Sequence, residues 1–230
     1  MPFESACEHV VALCLELSRR GYFAGTGGNL MLRIDAEHVA VTPSATDYAE
    51  MRPADVAVLR LRDLARVAGE RPASVETSLH ARVLRARPEV GCSIHTHQPV
   101  ASACALLGRP LTVAPRWRAS LGDCVPLVGY APSGSAWLAA RLGAALRPHL
   151  NAYLMRNHGI LCCGPDSAAA LQAVDDLEAL AREHLAERIA EQVRAGRQPQ
   201  LQRVMDALLA SAQPDTPDQA FAAPPPQAHV

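Results

Sequence analysis

Short aliphatic runs bounded by glycine, proline or asparagine alternate along this chain with longer amphipathic segments, and this alternation most constrains the fold it can adopt. Residues 30–34, 39–42, 56–61, 90–94, 153–155 and 160–163 read as strands. Between them lie helical patterns. Val10, Val11, Leu13, Cys14 and Leu17 make one apolar face that stops at Gly21, a residue suited to a helix terminus. Further helices are expected over residues 76–87 and 99–107, and in an Ala- and Leu-rich segment ending at Arg147 that Ser133 can cap. A long helix from Asp166 to about Arg194 carries Leu171, Val174, Leu177, Leu180 and Leu185 along its apolar stripe. Such a succession implies an α/β sheet covered by helices.

The 230 residues are enough for one substantial core, placed over residues 1–196. Gly196 and Pro199 interrupt the long helix, a short helix is expected within 197–213 (about 201–209), and the Pro-, Ala- and Gln-rich stretch 214–230 carries too little apolar content to order itself. No internal repeat is visible.

A net charge of -1 gives no bulk attraction for nucleic acid or an anionic membrane, so neither is an expected partner. Seven cysteines, mostly inside apolar runs, read as reduced packing residues. With no signal-like N-terminus and no apolar run near the roughly 20 residues of a membrane span, a cytoplasmic location is expected.

All 22 Lys and Arg residues are arginine. Without a lysine amine there is no Schiff base, no internal aldimine and no Walker-type phosphate loop, so carbon–carbon chemistry needs another electron sink. Histidines offer one. His95 and His97 are separated by one residue, which places both side chains on one side of an extended segment. His158, expected in a turn between strands, supplies a third imidazole; three protein ligands leave a position for substrate or water, as in catalytic rather than structural zinc sites. Glu76 opens a helix with His80 one turn later. A carboxylate near a metal can accept a proton from carbon, although Glu76 alone reads as a helix-start charge and His80 as a packing or supporting residue. The loop 25–29 and the turn Thr42-Pro43-Ser44 offer amides and hydroxyls that can surround an anion, or merely satisfy turn geometry. Arg116 and Arg118, flanking Trp117, could neutralise an anion or be solvated surface charges.

Taken in order, Thr26-Gly27-Gly28-Asn29, Thr42-Pro43-Ser44, Pro72-Ala73-Ser74-Val75-Glu76, His95-Thr96-His97 and Asn157-His158-Gly159 resemble the class II aldolase/adducin family. Softer features, Asp47-Tyr48 and Tyr130-Ala131-Pro132 with Gly134-Ser135, extend the resemblance over about residues 5–190. It implies a three-layer α/β/α sandwich, commonly a homotetramer with active sites between subunits, acting on small hydroxyketones or sugar phosphates. By the same resemblance His95, His97 and His158 would hold one divalent ion per subunit, zinc being the expected metal, and Glu76 would be the catalytic acid/base. Gly28, Asn29, Thr42, Ser44 and Ser74 would correspond to parts of a phosphate pocket.

Met31, Ala45 and Val75 stand where the family pattern has serine, glycine and serine, so weaker phosphate recognition is expected. Pro115-Arg116-Trp117-Arg118 replaces the segment that carries a tyrosine acid in the fuculose enzyme, leaving an arginine as a candidate anion ligand. The leading expectation is a metal-dependent aldolase working through a metal-stabilised enediolate. Epimerase, dehydratase and decarboxylase activities, or a non-catalytic adducin-like module, are the alternatives.

Overall fold

A computed structural model describes residues 3–23, 25–195, 203–204 and 206–207. Met1–His184 form one compact unit and Leu185–Val230 a second. Helix α1 (Glu4–Arg19) opens the chain and closes at Gly21, whose φ of 72° is the left-handed terminus the sequence implied. Strands β1 (Asn29–Arg33), β2 (His38–Val41), β3 (Ala57–Arg60) and β4 (Arg66–Ala68) follow as antiparallel neighbours. Helix α2 (Thr77–Ala86) leads to β5 (Cys92–Thr96) and α3 (Pro99–Leu106). A small pair, β6 (Leu111–Thr112) with β7 (Cys124–Val125), brackets the short α4 (Arg118–Leu121). Then come β8 (Leu127–Val128), α5 (Ala136–Ala145), the hairpin β9 (Ala152–Met155) and β10 (Gly159–Gly164), and the long α6 (Ser167–Arg194).

Eight strands form one sheet in the order β4-β3-β2-β1-β5-β10-β9-β8, antiparallel throughout except for β8 beside β9. Strand residues alternate between two cores. Met31, Val41, Leu59, Tyr153, Met155 and Leu161 meet Leu79, Val83 and Leu84 of α2 and Leu138 and Leu142 of α5. On the other face, α1 buries Val10, Leu13, Cys14 and Leu17, and α3 packs along β9 and β10. Helices on both faces of a central sheet make the expected three-layer α/β/α architecture.

Three local expectations change. The strand read as 90–94 is β5, which begins at Cys92 and runs on through His95 because β1 and β10 pair with it on both sides as far as that residue. Leu138 N donates to Ser135 Oγ at 3.1 Å, so Ser135 rather than Ser133 caps α5. The three-residue β4 and the two-residue β6, β7 and β8 are too short to form an aliphatic run that would betray them. Most of the expected helix 201–209 and all of 214–230 lie outside the described residues. All seven cysteines are free thiols, six of them buried, as packing residues would be.

Candidate active site

The sheet's register builds the site. Asn29 of β1 and Leu161 of β10 both lie opposite His95 of β5, so these three side chains share the face covered by α2. At the start of that helix stands Glu76, 5% exposed, in the N-cap position. The β9–β10 turn delivers His158: Asn157 takes a left-handed φ of 55°, and His158 N donates to Met155 O at 3.1 Å.

One nitrogen from each of His95, His97 and His158 falls within a cluster where all lie within 4.8 Å of one another. The His95 and His158 rings stack with centroids 4.8 Å apart, and their Nε2 atoms approach to 3.1 Å. His95 Nδ1 lies 2.6 Å from Ile160 O, which fixes Nδ1 as the donor and leaves the Nε2 lone pair facing the cluster. Burial pulls the pKa of His95 down to about 3 and also lowers that of His97, so both rings are neutral at neutral pH. Neutral imidazoles with converging lone pairs are the donor set a borderline-soft divalent ion takes. The cluster thus fits a metal chemically.

Glu76 reaches two of these rings, with Oε1 3.0 Å from His158 Nε2 and Oε2 3.2 Å from His95 Nε2. Asn29 Nδ2 donates to Oε2 at 2.9 Å and Ser133 Oγ to Oε1 at 2.8 Å. Burial acts to raise the Glu76 pKa, but hydrogen bonds from His158 and Asn29 and the neighbouring His95 outweigh it and hold the carboxyl well below the usual carboxylate range. An ionised carboxylate therefore sits beside the imidazole cluster.

The chain on either side of His97 is locked. Thr96 Oγ1 donates to Gln98 Oε1 at 2.6 Å, and Gln98 Nε2 to Val174 O at 3.1 Å. Glu178 of α6 accepts from Val100 N and Ala101 N at the start of α3, where the helix dipole favours a negative charge. Gly159 admits the rings: a Cβ there would lie 2.5 Å from His97 Cδ2 and 2.5 Å from Thr96 O.

The expected anion-binding residues gather at the same end of the sheet. Gly28 has a φ of 85°, and its carbonyl accepts from Tyr48 OH at 2.5 Å. Ser74 N donates to Thr42 O, and Ser44 N to Pro72 O, which ties the Thr-Pro-Ser turn to the segment before Glu76. Ser74 Oγ accepts from Glu76 N at 3.2 Å, and Ser44 is half-buried. The Thr42 hydroxyl is fully buried and bonds to the Leu30 backbone, while both ends of the Asn29 amide are engaged, by Glu76 and by His80. Ala45 takes the left-handed φ of 48° that glycine would adopt freely, and Val75 is 68% exposed. Arg116 is not at the histidine cluster; it pairs with Glu183 and lies over Trp117, and Arg118 Nε reaches Val113 O.

Ser133 was missed as a functional residue because 57 positions separate it from the carboxylate it holds, and a serine near a helix start reads as a cap. The steric role of Gly159 was hidden for a similar reason: nothing in a strand's first glycine signals two rings packed against it.

The profile of the class II aldolase and adducin N-terminal domain matches residues 8–185, most of the chain. The chain belongs to this family. A 5-methylthioribulose-1-phosphate/5-deoxyribulose-1-phosphate aldolase of Rhodospirillum rubrum is 31% identical over 170 residues, covering 74% of this chain and 75% of that protein. A methylthioribulose-1-phosphate dehydratase of Serratia proteamaculans is 28% identical over 195 residues, 79% of this chain and 95% of the dehydratase. Among solved structures, an L-fuculose 1-phosphate aldolase superposes with a TM-score of 0.72 at 25% identity, covering 90% of this chain and 96% of its own. These likenesses support the three-layer fold read from the sequence. No helix among the described residues is long and apolar enough to cross a membrane.

Proposed function

We propose that this family member is a metal-dependent aldolase that reversibly cleaves a small hydroxyketone phosphate into a ketone phosphate and an aldehyde, as a cytoplasmic homotetramer. The carrying observation is the Glu76 carboxylate, buried, with its oxygens 3.0 Å from His158 Nε2 and 3.2 Å from His95 Nε2. A divalent ion held by His95, His97 and His158, zinc by preference, supplies Lewis-acid stabilisation of the negative charge that develops on the substrate's carbonyl and adjacent hydroxyl oxygens.

In cleavage, the bond between the carbon next to the ketone and the carbinol carbon breaks. Its electron pair moves towards the ketone oxygen, the carbinol hydroxyl gives its proton to the Glu76 carboxylate as the aldehyde forms, and Glu76 returns that proton to the carbon left behind. Condensation runs the transfer backwards, and an ionised Glu76 is in the right state to take that proton. Asn29 and Ser133 keep the carboxylate oxygens aimed at the cluster. Gly28, Ser44 and Ser74 are assigned to the phosphate, with Asn29 and Thr42 shaping that end of the pocket from within.

The similarity to the methylthioribulose-1-phosphate dehydratase favours dehydration as the second reading, because both reactions begin at the same carbon and differ in which neighbouring bond breaks. Product analysis separates them. With 5-deoxyribulose 1-phosphate and added zinc, the aldolase reading predicts two carbonyl fragments, resolved by NMR. A single product lacking one water, or a stereoisomer, would contradict it.

A further inference from the structure

Behind Glu76 and Asn29 lie two buried polar side chains, His80 and Ser93, that the reaction as proposed does not use. His80, on α2 and with no exposed surface, places Nδ1 2.8 Å from Ser93 Oγ and Nε2 2.7 Å from Asn29 Oδ1. Asn29 in turn donates from Nδ2 to Glu76 Oε2 at 2.9 Å. A neutral imidazole has one donor nitrogen and one acceptor nitrogen, and a side-chain amide has one donor edge and one acceptor edge. With Asn29 Nδ2 on Glu76 Oε2 and Asn29 Oδ1 on His80 Nε2, only one assignment gives every link one donor and one acceptor. Ser93 O–H donates to His80 Nδ1, His80 Nε2–H donates to the Asn29 carbonyl, and the Asn29 amide hydrogens donate to the carboxylate. Turning the amide over would set its carbonyl oxygen against the carboxylate and its amide hydrogens against the ring N–H. Burial, which lowers the His80 pKa to about 4, keeps the ring neutral and so keeps one acceptor nitrogen available to Ser93.

We propose that His80 is a positioning residue: as the Nε2–H tautomer, it fixes the Asn29 amide so that its donor edge, and not its carbonyl, faces Glu76. The inference rests on Glu76 being the proton-transfer residue. It explains why a fully buried histidine stands one turn into the helix that Glu76 opens.

Two measurements on the full-length, zinc-loaded protein test it. Nitrogen-15 spectra of histidine-labelled protein should show His80 as the Nε2–H tautomer with an exchange-protected proton. An Nδ1–H tautomer would overturn the proposal. For kinetics, the probe is solvent-deuterium exchange into dihydroxyacetone phosphate, the three-carbon ketone phosphate released when a ketose 1-phosphate is cleaved beyond the carbon next to its ketone. His80→Leu should lower the exchange kcat about tenfold, the low end for loss of an orienting partner, with KM and zinc content little changed. His80→Gln, which retains an N–H donor, should recover most of that loss. Combining His80→Leu with Asn29→Leu should cost no more than Asn29→Leu alone. Equal rates for the Leu and Gln variants, or additive losses, would show that His80 only fills space. Should His80→Leu not fold, Ser93→Ala removes the buried hydroxyl that holds His80 Nδ1 and should lower the exchange kcat while leaving KM and zinc content little changed; an unchanged kcat would overturn the proposal. Exchange that persists in Glu76→Gln would instead refute the role of Glu76, a result distinct from any of these.

Discussion

At the scale of single residues, the site is a set of buried groups whose charge states are set by burial and hydrogen bonding. His80 shows the consequence most cleanly, because no cluster nitrogen bonds to it. Its pKa falls from 6.5 to about 4 on folding, chiefly through burial. Between those values the unfolded chain binds the proton and the folded chain does not, so stability rises with pH through the window, is complete above about 6.5 and is lost as pH falls towards 4. His95, lowered to about 3, acts with the same sign. Chelated protein should therefore be less stable at pH 5 than at pH 7, with His80 contributing about 2 kcal/mol of the difference. Urea unfolding at the two pH values checks this: the difference should shrink by about that amount in His80→Gln, and equal pH dependence in variant and parent would contradict it.

At the scale of elements, β5 carries His95 while the turn between β9 and β10 carries His158, and Gly159 lets the rings meet. Gly159→Ala should push His97 and the Thr96 carbonyl away, destabilise the protein by about 1–3 kcal/mol and lower its zinc content. Elemental analysis with a thermal melt measures both, and full zinc occupancy at an unchanged melting temperature would refute the packing argument. Much of this was legible beforehand. The aliphatic runs located β1, β2, β3, β9 and β10 to within a residue or two, and the one-residue spacing of His95 and His97 with the turn at His158 gave the cluster. What stayed hidden depended on pairing between distant segments. Whether β5 extends through His95 is decided by its partners β1 and β10, and neither the reach of Ser133 to Glu76 nor that of Asn29 to both Glu76 and His80 leaves a local pattern. The same applies to Arg116: its place beside Trp117, in the segment that replaces a family tyrosine, made it a candidate anion ligand, but folding pairs it with Glu183.

At the scale of the whole molecule, the Met1–His184 unit is a sheet with a helical layer on each face, and the site lies where strand ends, the start of α2 and the β9–β10 turn converge. Because the three proposed ligands come from β5, the segment just after it and a separate hairpin, a bound ion would tie together parts of the chain far apart in sequence. One divalent ion per chain should consequently stabilise the fold, by about 2.7 kcal/mol at a hundredfold excess over its Kd. Unfolding with zinc and with chelator tests this, and identical midpoints would argue against a site that forms only in the folded chain. The central claim is that the histidine cluster and Glu76 act together, the cluster holding the ion and Glu76 moving the proton. Its most direct test is the turnover of Glu76→Gln compared with wild type at matched zinc content, using the authentic substrate. Glutamine retains the size of the side chain but cannot carry the proton, so turnover should fall at least roughly 10²-fold while zinc content and melting temperature hold. Near-normal turnover in a fully loaded Glu76→Gln protein would contradict the claim.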